Sequence, residues 1–261
     1  MTSFGPISEK KENLTVDDLL AAQANPEDAS NQGDRWTFAA ILPETGFVHT
    51  VHTAARTSQQ AEAFVNKIKA NSDGQAPCVT SDCWFYESAL VAVYSDLVAV
   101  EYKGRGRRPN PRRVPNTRLR YCQVHKKRTK TGQIESISTR IVLGDEQEIL
   151  TLFEESDRSR TINTDFVESR NGKYRKDNAR LIRRSFCHSK KSIFHDASIV
   201  FVTQVFNYTR TVDGLKVEIN GSAKRFEQKY RHRTPAMAEG LIDKCLTIKE
   251  LLCHRPIYNK T

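Results

Sequence analysis

Between Thr161 and His195 the chain reads TINTDFVESRNGKYRKDNARLIRRSFCHSKKSIFH, and this stretch restricts the rest of the molecule more than any other. Glu168 opens a predicted helix, and the cations Arg170, Lys173, Arg175, Lys176, Arg180, Arg183 and Arg184 follow it. An acid in the first helical turn offsets the positive end of the macrodipole. The run Asp165-Phe166-Val167-Glu168 also fits a capping box in which Glu168 reaches back to Asp165. An acid heading a basic, polar, aromatic-spiked helix suits a second role, that of a metal ligand beside a polyanion. That role demands further ligands from elsewhere in the chain.

The overall charge agrees with a polyanionic partner. Across 261 residues, 41 Lys and Arg oppose 31 Asp and Glu, a formal charge of +10. Such a balance favours nucleic acid before membrane. The length allows one large domain or two small ones, and 38% hydrophobic residues suffice for a globular core. Cysteines at 78, 83, 122, 187, 245 and 253 form no CxxC pair, which argues against a zinc ribbon. With no signal peptide to suggest export, they read as reduced thiols of a cytosol. The longest apolar runs, around Leu90–Val100 and Ile199–Val205, are too short to span a bilayer.

In chain order, residues 1–13 read as a polar tail. LTVDDLLAA then carries Asp17 and Asp18. Locally it is best read as a helix start capped by Thr15, with a strand bearing an acid on one face as the alternative. RWTFAAIL and FVHTVHT flank a Pro43-Glu44-Thr45-Gly46 turn and predict an antiparallel hairpin. His49 and His52 fall on opposite faces of its second strand and make a poor metal pair. Apolar residues at 61, 64, 65 and 68 predict a helix over Ser58–Ala70. A strand, Pro77–Thr80, then ends at Ser81-Asp82, before a helix over Trp84–Val93. An acid at a strand's C-terminal end, just before a helix, is where α/β folds place active-site carboxylates.

A strand over Leu97–Tyr102 leads into the most basic segment, Lys103–Lys130, which includes Arg107, Arg108, Arg112 and Arg113. Prolines 109, 111 and 115 keep its first half from being helix or central strand. Its second half predicts a ribbon, Leu119–Lys127 and Ile134–Leu143, and arginines at this density suit phosphate contact. Asp145–Glu155 predicts an acidic helix and Ser192–Tyr208 an apolar one. Leu215–Tyr230 is charged and poorly patterned and reads as a surface excursion. Thr234, with Pro235 after it, caps a last short helix. Trp84 and Tyr86 suit core packing better than stacking on a base, and Lys190, Lys191 and His195 suit a solvated helix edge.

Three acids on separated elements, one early, one at a strand end and one on a late helix, can converge on two divalent cations. Hard oxygen ligands suit Mg²⁺ or Mn²⁺. A metal pair roughly 4 Å apart activates an attacking oxygen on one side of a phosphodiester and stabilises the leaving oxygen on the other.

The residues also carry a resemblance. TSDCWFYESAL at 80–90, INTDFVESRNGKYRKDNARLIRRSFCHSKKSIFHDASIVFVTQVFNYTR at 162–210 and TPAMAEGLIDKCLTIKELL at 234–252 resemble DDE transposases of bacterial insertion sequences, of the insertion-sequence-one-like group. RWTFAAILPETGFVHTVHTAART is similar to that family's hairpin, and the likeness runs in order from about Val16 to Leu252.

The resemblance implies an α/β, ribonuclease H-like mixed sheet flanked by helices. It implies a two-metal site on Asp17, Asp82 and Glu168, and it turns the segment around Asp17 into a central strand. A catalytic domain over 14–210 would contain a basic insertion at about 103–160, with a helical C-terminal extension over 211–261. DNA, as element ends and target duplex, would be held by Arg107, Arg108, Arg112, Arg113, Lys173, Arg175, Arg180, Arg183 and Arg184. A homodimer or larger assembly is implied, in a bacterial cytoplasm at the nucleoid, with no membrane partner.

The chain departs from the family in reading Asp17-Asp18-Leu19-Leu20 at the first site, and in carrying Cys83 where Gly usually follows the second Asp. About 15 residues precede Asp17, where such proteins usually carry a DNA-recognition part, so the chain reads either as a downstream frame needing frameshift fusion or as a decayed remnant. The alternatives are an inactive remnant that only binds DNA, and a related two-metal nuclease.

Overall fold

The computed structural model describes residues 2–4, 36–102, 104, 107, 109–182, 187, 189, 192–219 and 228–253. Asp17, Arg108, Arg183, Arg184, Lys190 and Lys191 lie outside them, as does the choice between helix and strand around Asp17.

The architecture is mixed α/β. Strands β2 (Trp36–Ile41) and β3 (Val48–Ala54) form the antiparallel hairpin, with Trp36 opposite Ala54, and β1 (Thr2–Phe4) pairs with the other edge of β2. Gly46, at φ 68°, supplies the left-handed step of the turn. Helix α1 (Ser58–Ala70) is capped by Thr57, whose hydroxyl accepts from the Gln60 N–H, and its apolar stripe, Ala61, Phe64, Val65 and Ile68, is buried. It packs with α2 (Phe85–Val93) over the hairpin, and Phe38, Phe64, Tyr86, Leu90 and Tyr121 meet in the core. Edge-on and tilted ring contacts join Phe38 to Phe64, Phe85 and Tyr86.

Strand β4 (Cys78–Ser81) runs parallel to β7 (Arg120–Arg128), with Ser81 opposite Gln123. Parallel pairing needs a long crossover, which α2 and the basic segment supply. Strand β8 (Ile134–Leu143) returns antiparallel to β7 and completes the predicted ribbon. A cavity of about 460 Å³ lies between β2 and β4, lined by Ala40 and Ile41 on one side and Cys78, Val79 and Thr80 on the other.

The expected strand at 97–102 is instead β5 (Ser95–Val98), paired antiparallel with β6 (Arg112–Pro115). Pro115 ends β6 in a two-stranded edge, where a missing N–H costs little.

Helix α3 (Glu146–Glu155) is capped by Asp145. Helix α4 (Asp165–Asp177) follows, then a 3₁₀ turn at Ala179–Leu181 and α5 (Ser192–Thr209). Helix α5 buries His195, Ile199, Thr203, Phe206 and Asn207 on one face. His195 is 4% exposed, so it belongs to the core and not to a solvated edge. Asn207 ties α5 to β3 by accepting from the Val48 N–H at 3.0 Å and donating to the Val48 carbonyl at 2.9 Å. Tyr174 and Thr203 hydroxyls, 2.6 Å apart, join α4 to α5. Arg170 sits in the same seam, 3.7 Å from the Phe206 ring centroid and ion-paired to Asp177 at 3.4 Å.

Where a surface excursion was expected, β9 (Val212–Glu218) pairs antiparallel with β10 (Tyr230–Arg233). Only Leu215 of β9 is buried, so the strand shows no alternating apolar pattern to read. Thr234 caps α6 (Pro235–Ala238) as expected, and α7 (Ile248–Cys253) closes the described chain. Among the described residues no helix is long and apolar enough to cross a membrane.

Candidate active site

Asp82 follows β4 directly, at the mouth of the parallel pair. The turn that presents it is locked from below. The Ser81 hydroxyl accepts from the Cys83 N–H at 3.4 Å and lies 2.7 Å from the Tyr121 hydroxyl. Tyr121 in turn donates to the Cys83 carbonyl at 3.0 Å and accepts from Gln123 Nε2 at 3.2 Å. These groups are buried and bonded, which fixes a residue they do not touch. Cys83 fits where a glycine was expected: its side chain turns inward, and Arg56 donates to Sγ at 3.2 Å.

Glu168 arrives from α4. The helix begins at Thr164, one residue earlier than the predicted capping box requires, so Glu168 reaches back to Thr164 and not to Asp165. Thr164 Oγ1 donates to Glu168 Oε1 at 2.8 Å.

Lys126 stands between the settings of the two acids, sharing a cavity with Asp82 and an ion pair with Glu168. This lysine projects from β7 on the face that also carries buried Cys122 and Val124. Its side chain is only 11% exposed. Nζ donates to Thr164 Oγ1 at 3.0 Å and forms an ion pair with Glu168 Oε1. Lys126 and Asp82 line one open cavity of about 390 Å³ together with Val124, His125, Lys127 and Arg128.

The titration of the two acids reflects this arrangement. Crowding by protein pushes the Asp82 carboxyl up, and Glu168 adds to the rise while the Lys126 charge opposes it. Burial would raise Glu168 as well, but hydrogen bonds from Lys126 and Thr164 and the charges of Lys126 and Arg128 outweigh it, holding Glu168 below the usual range.

Among the described residues no group of three His, Cys, Asp or Glu side chains is placed to hold a metal ion. Asp82 and Glu168 do fit the chemistry of a hard divalent cation. They are carboxylates, the donors such an ion takes, and one ammonium already serves both places: Lys126 ion-pairs with Glu168 and lines the Asp82 cavity.

The cations expected to line DNA fall elsewhere. Arg107, Arg112 and Arg113 are exposed, and Arg113 donates to the Ala92 carbonyl at the far end of α2 from Asp82. That is about 13 Å along the helix axis. Lys173 lines a separate cavity with Asp165, Ser169 and Arg170. Arg175 is partly buried, and Arg180 donates to Ser189 at 3.0 Å.

Lys126, Lys127 and Arg128 of the ribbon share the Asp82 cavity, with Lys127 70% exposed and paired to Glu135 at 3.1 Å. The signal for Lys126 was its place in the β7 alternation, a lysine continuing a buried face. Trp84 also departs from expectation: Tyr86 is core, but Trp84, two residues after Asp82, is 73% exposed.

No family model, curated protein or solved structure matches the chain.

Proposed function

We propose that the chain is the catalytic domain of a DNA transposase of the insertion-sequence-one-like DDE group, with a ribonuclease H-like fold. It would hydrolyse a phosphodiester at an element end and join the freed 3′-hydroxyl to target DNA. The observation that carries this reading is Lys126, which shares a cavity with Asp82, at a strand end, and forms an ion pair with Glu168, in the first turn of a distant helix. The fold part rests on the hairpin, the helix after it and the parallel β4–β7 pair.

In this reading Asp17, Asp82 and Glu168 would hold the metal ions. Bound Mg²⁺ or Mn²⁺ supplies activation of the attacking oxygen and stabilisation of the leaving one. The Ser81–Tyr121–Cys83 network keeps Asp82 aimed, so little reorganisation is needed when DNA arrives. Glu168 is ionised at neutral pH, as a ligand must be, and bonds from Lys126 and Thr164 to its charged form hold its carboxyl below the usual range. Lys127 and Arg128 hold the phosphates flanking the cut, and exposed Trp84 stacks on a base freed from the duplex. Arg107, Arg108, Arg112, Arg113, Lys173, Arg175, Arg180, Arg183 and Arg184 would extend duplex contact, Arg113 from the far end of α2. Two element ends cut together call for a homodimer or larger assembly, in a bacterial cytoplasm at the nucleoid.

The test is cleavage and joining of labelled duplex ends by the purified chain with Mg²⁺. Asp82→Asn and Glu168→Gln should each lower the rate at least about 100-fold. Cleavage that persists in both variants would refute the site. Binding with steep salt dependence, but without cutting by the wild type, identifies a DNA-binding remnant instead. Cutting without joining identifies a two-metal nuclease.

A further inference from the structure

Lys126 is nearly buried, and nothing in the proposed chemistry of the acids requires a lysine at that point. Its stem continues the apolar face of β7, and its ammonium is fixed by two oxygens, Thr164 Oγ1 at 3.0 Å and Glu168 Oε1. The same Glu168 oxygen also accepts from Thr164, so ammonium, hydroxyl and carboxylate form a closed triangle. Asp82 lines the cavity from which Lys126 approaches. A compact, strongly hydrated point charge on a flexible stem is the side chain best able to leave such a site and return to it. An ammonium and a divalent cation on one carboxylate repel each other in a partly dehydrated pocket, where the repulsion exceeds its value in water.

We propose that Lys126 is a resident counter-cation of the Asp82–Glu168 pair, and that a divalent cation binds there only by displacing it. The inference rests on the reading that these two acids hold the metal. Before metal arrives, the lysine keeps the carboxylates from repelling each other and keeps the pocket closed to adventitious monovalent ions. When the divalent cation binds, the ammonium swings out along the β7 rim toward Lys127 and Arg128, where it adds a third positive charge to a phosphate-binding edge.

The experiment is calorimetric titration of the full chain with Mn²⁺, on the wild type, Lys126→Met, Asp82→Asn and Glu168→Gln, with circular dichroism confirming the fold of each. Lys126→Met keeps the stem and removes the charge, and should bind Mn²⁺ at least fivefold more tightly than the wild type. Equal or weaker binding overturns the inference. If Asp82→Asn and Glu168→Gln lose binding while Lys126→Met matches the wild type, the acids are the metal site and the lysine is no competitor. If both carboxylate variants bind like the wild type, the metal reading falls and the inference falls with it.

A second measurement needs no variant. Acylation of Lys126 in the wild type, followed by peptide mass spectrometry, should rise severalfold on adding Mn²⁺ while exposed Lys127 changes little. An unchanged Lys126 rate overturns the inference, whatever the variants do.

Discussion

Asp82 and Glu168 are acids in one site whose protonation is biased in opposite directions, so their removal should act on stability with opposite signs. The raised Asp82 carboxyl means the fold holds its proton more tightly than the unfolded chain does. Its charge therefore weakens the fold once pH passes the raised value, and Asp82→Asn should be neutral or stabilising at pH 7. The lowered Glu168 carboxyl favours the fold at neutral pH, and that contribution fades as pH falls below about 4. Glu168→Gln should cost about 1 kcal/mol at pH 7, a modest figure because Glu168 is 45% exposed. Denaturant unfolding at pH 7 and pH 3 checks both, and the cost of Glu168→Gln should shrink at the lower pH. A fold that spends stability at Asp82 is what a charge-binding site requires.

At this scale the sequence revealed the acids more readily than their surroundings. Asp82 is marked by its place at a strand end and Glu168 by its place at a helix start, both local facts. Thr164 is a local partner of Glu168, four residues before it, but Lys126 reaches both only because β7 meets the start of α4, across about forty residues of chain that no local pattern spans. Arg170 shows the reverse error. It reads as one more cation of a basic helix, yet it lies buried against Phe206 with Asp177 as its partner.

Helix α5 is the element on which the rest depends, since it carries α4 on one side and meets β3 on the other. Asn207 makes the second junction through paired bonds to one residue, Val48, and is almost wholly buried. Asn207→Ala would leave a buried N–H and carbonyl without partners, at a cost of about 2–3 kcal/mol, read as a fall in denaturation midpoint. Because α4 rides on α5, the same variant should also loosen the placement of Glu168. Elements with a clear period were readable in advance: α1 from its buried stripe, the hairpin and ribbon from their turns. Strands β9 and β10 were not, because their pairing buries one apolar side chain and otherwise joins charged residues, with Lys229 beside Glu218 at 3.5 Å.

For the whole molecule, the excess of positive charge matters less by its size than by its distribution. Acids crowd α3, while Lys126, Lys127 and Arg128 border the Asp82 cavity. If DNA lies along that border, the double variant Lys127→Ala/Arg128→Ala should flatten the salt dependence of duplex binding by about 2 in the log–log slope. Arg112→Ala/Arg113→Ala, beyond the far end of α2, should change it less for short duplexes than for long ones. Filter binding across a salt series with duplexes of two lengths distinguishes the two edges.

The chain has 2 tryptophans, and their settings could hardly differ more. Trp36 is partly buried beneath Arg56, whose guanidinium carbon lies 4.3 Å from the ring centroid, while Trp84 stands open beside Asp82. The protein thus carries its own optical reporter: the red-shifted, iodide-quenchable part of its ultraviolet emission belongs to Trp84. Single-stranded DNA should shield that part alone, and Trp84→Phe should abolish the change while leaving the Trp36 signal. Occupancy of the site can then be followed in real time on the unlabelled chain before any bond in DNA is broken.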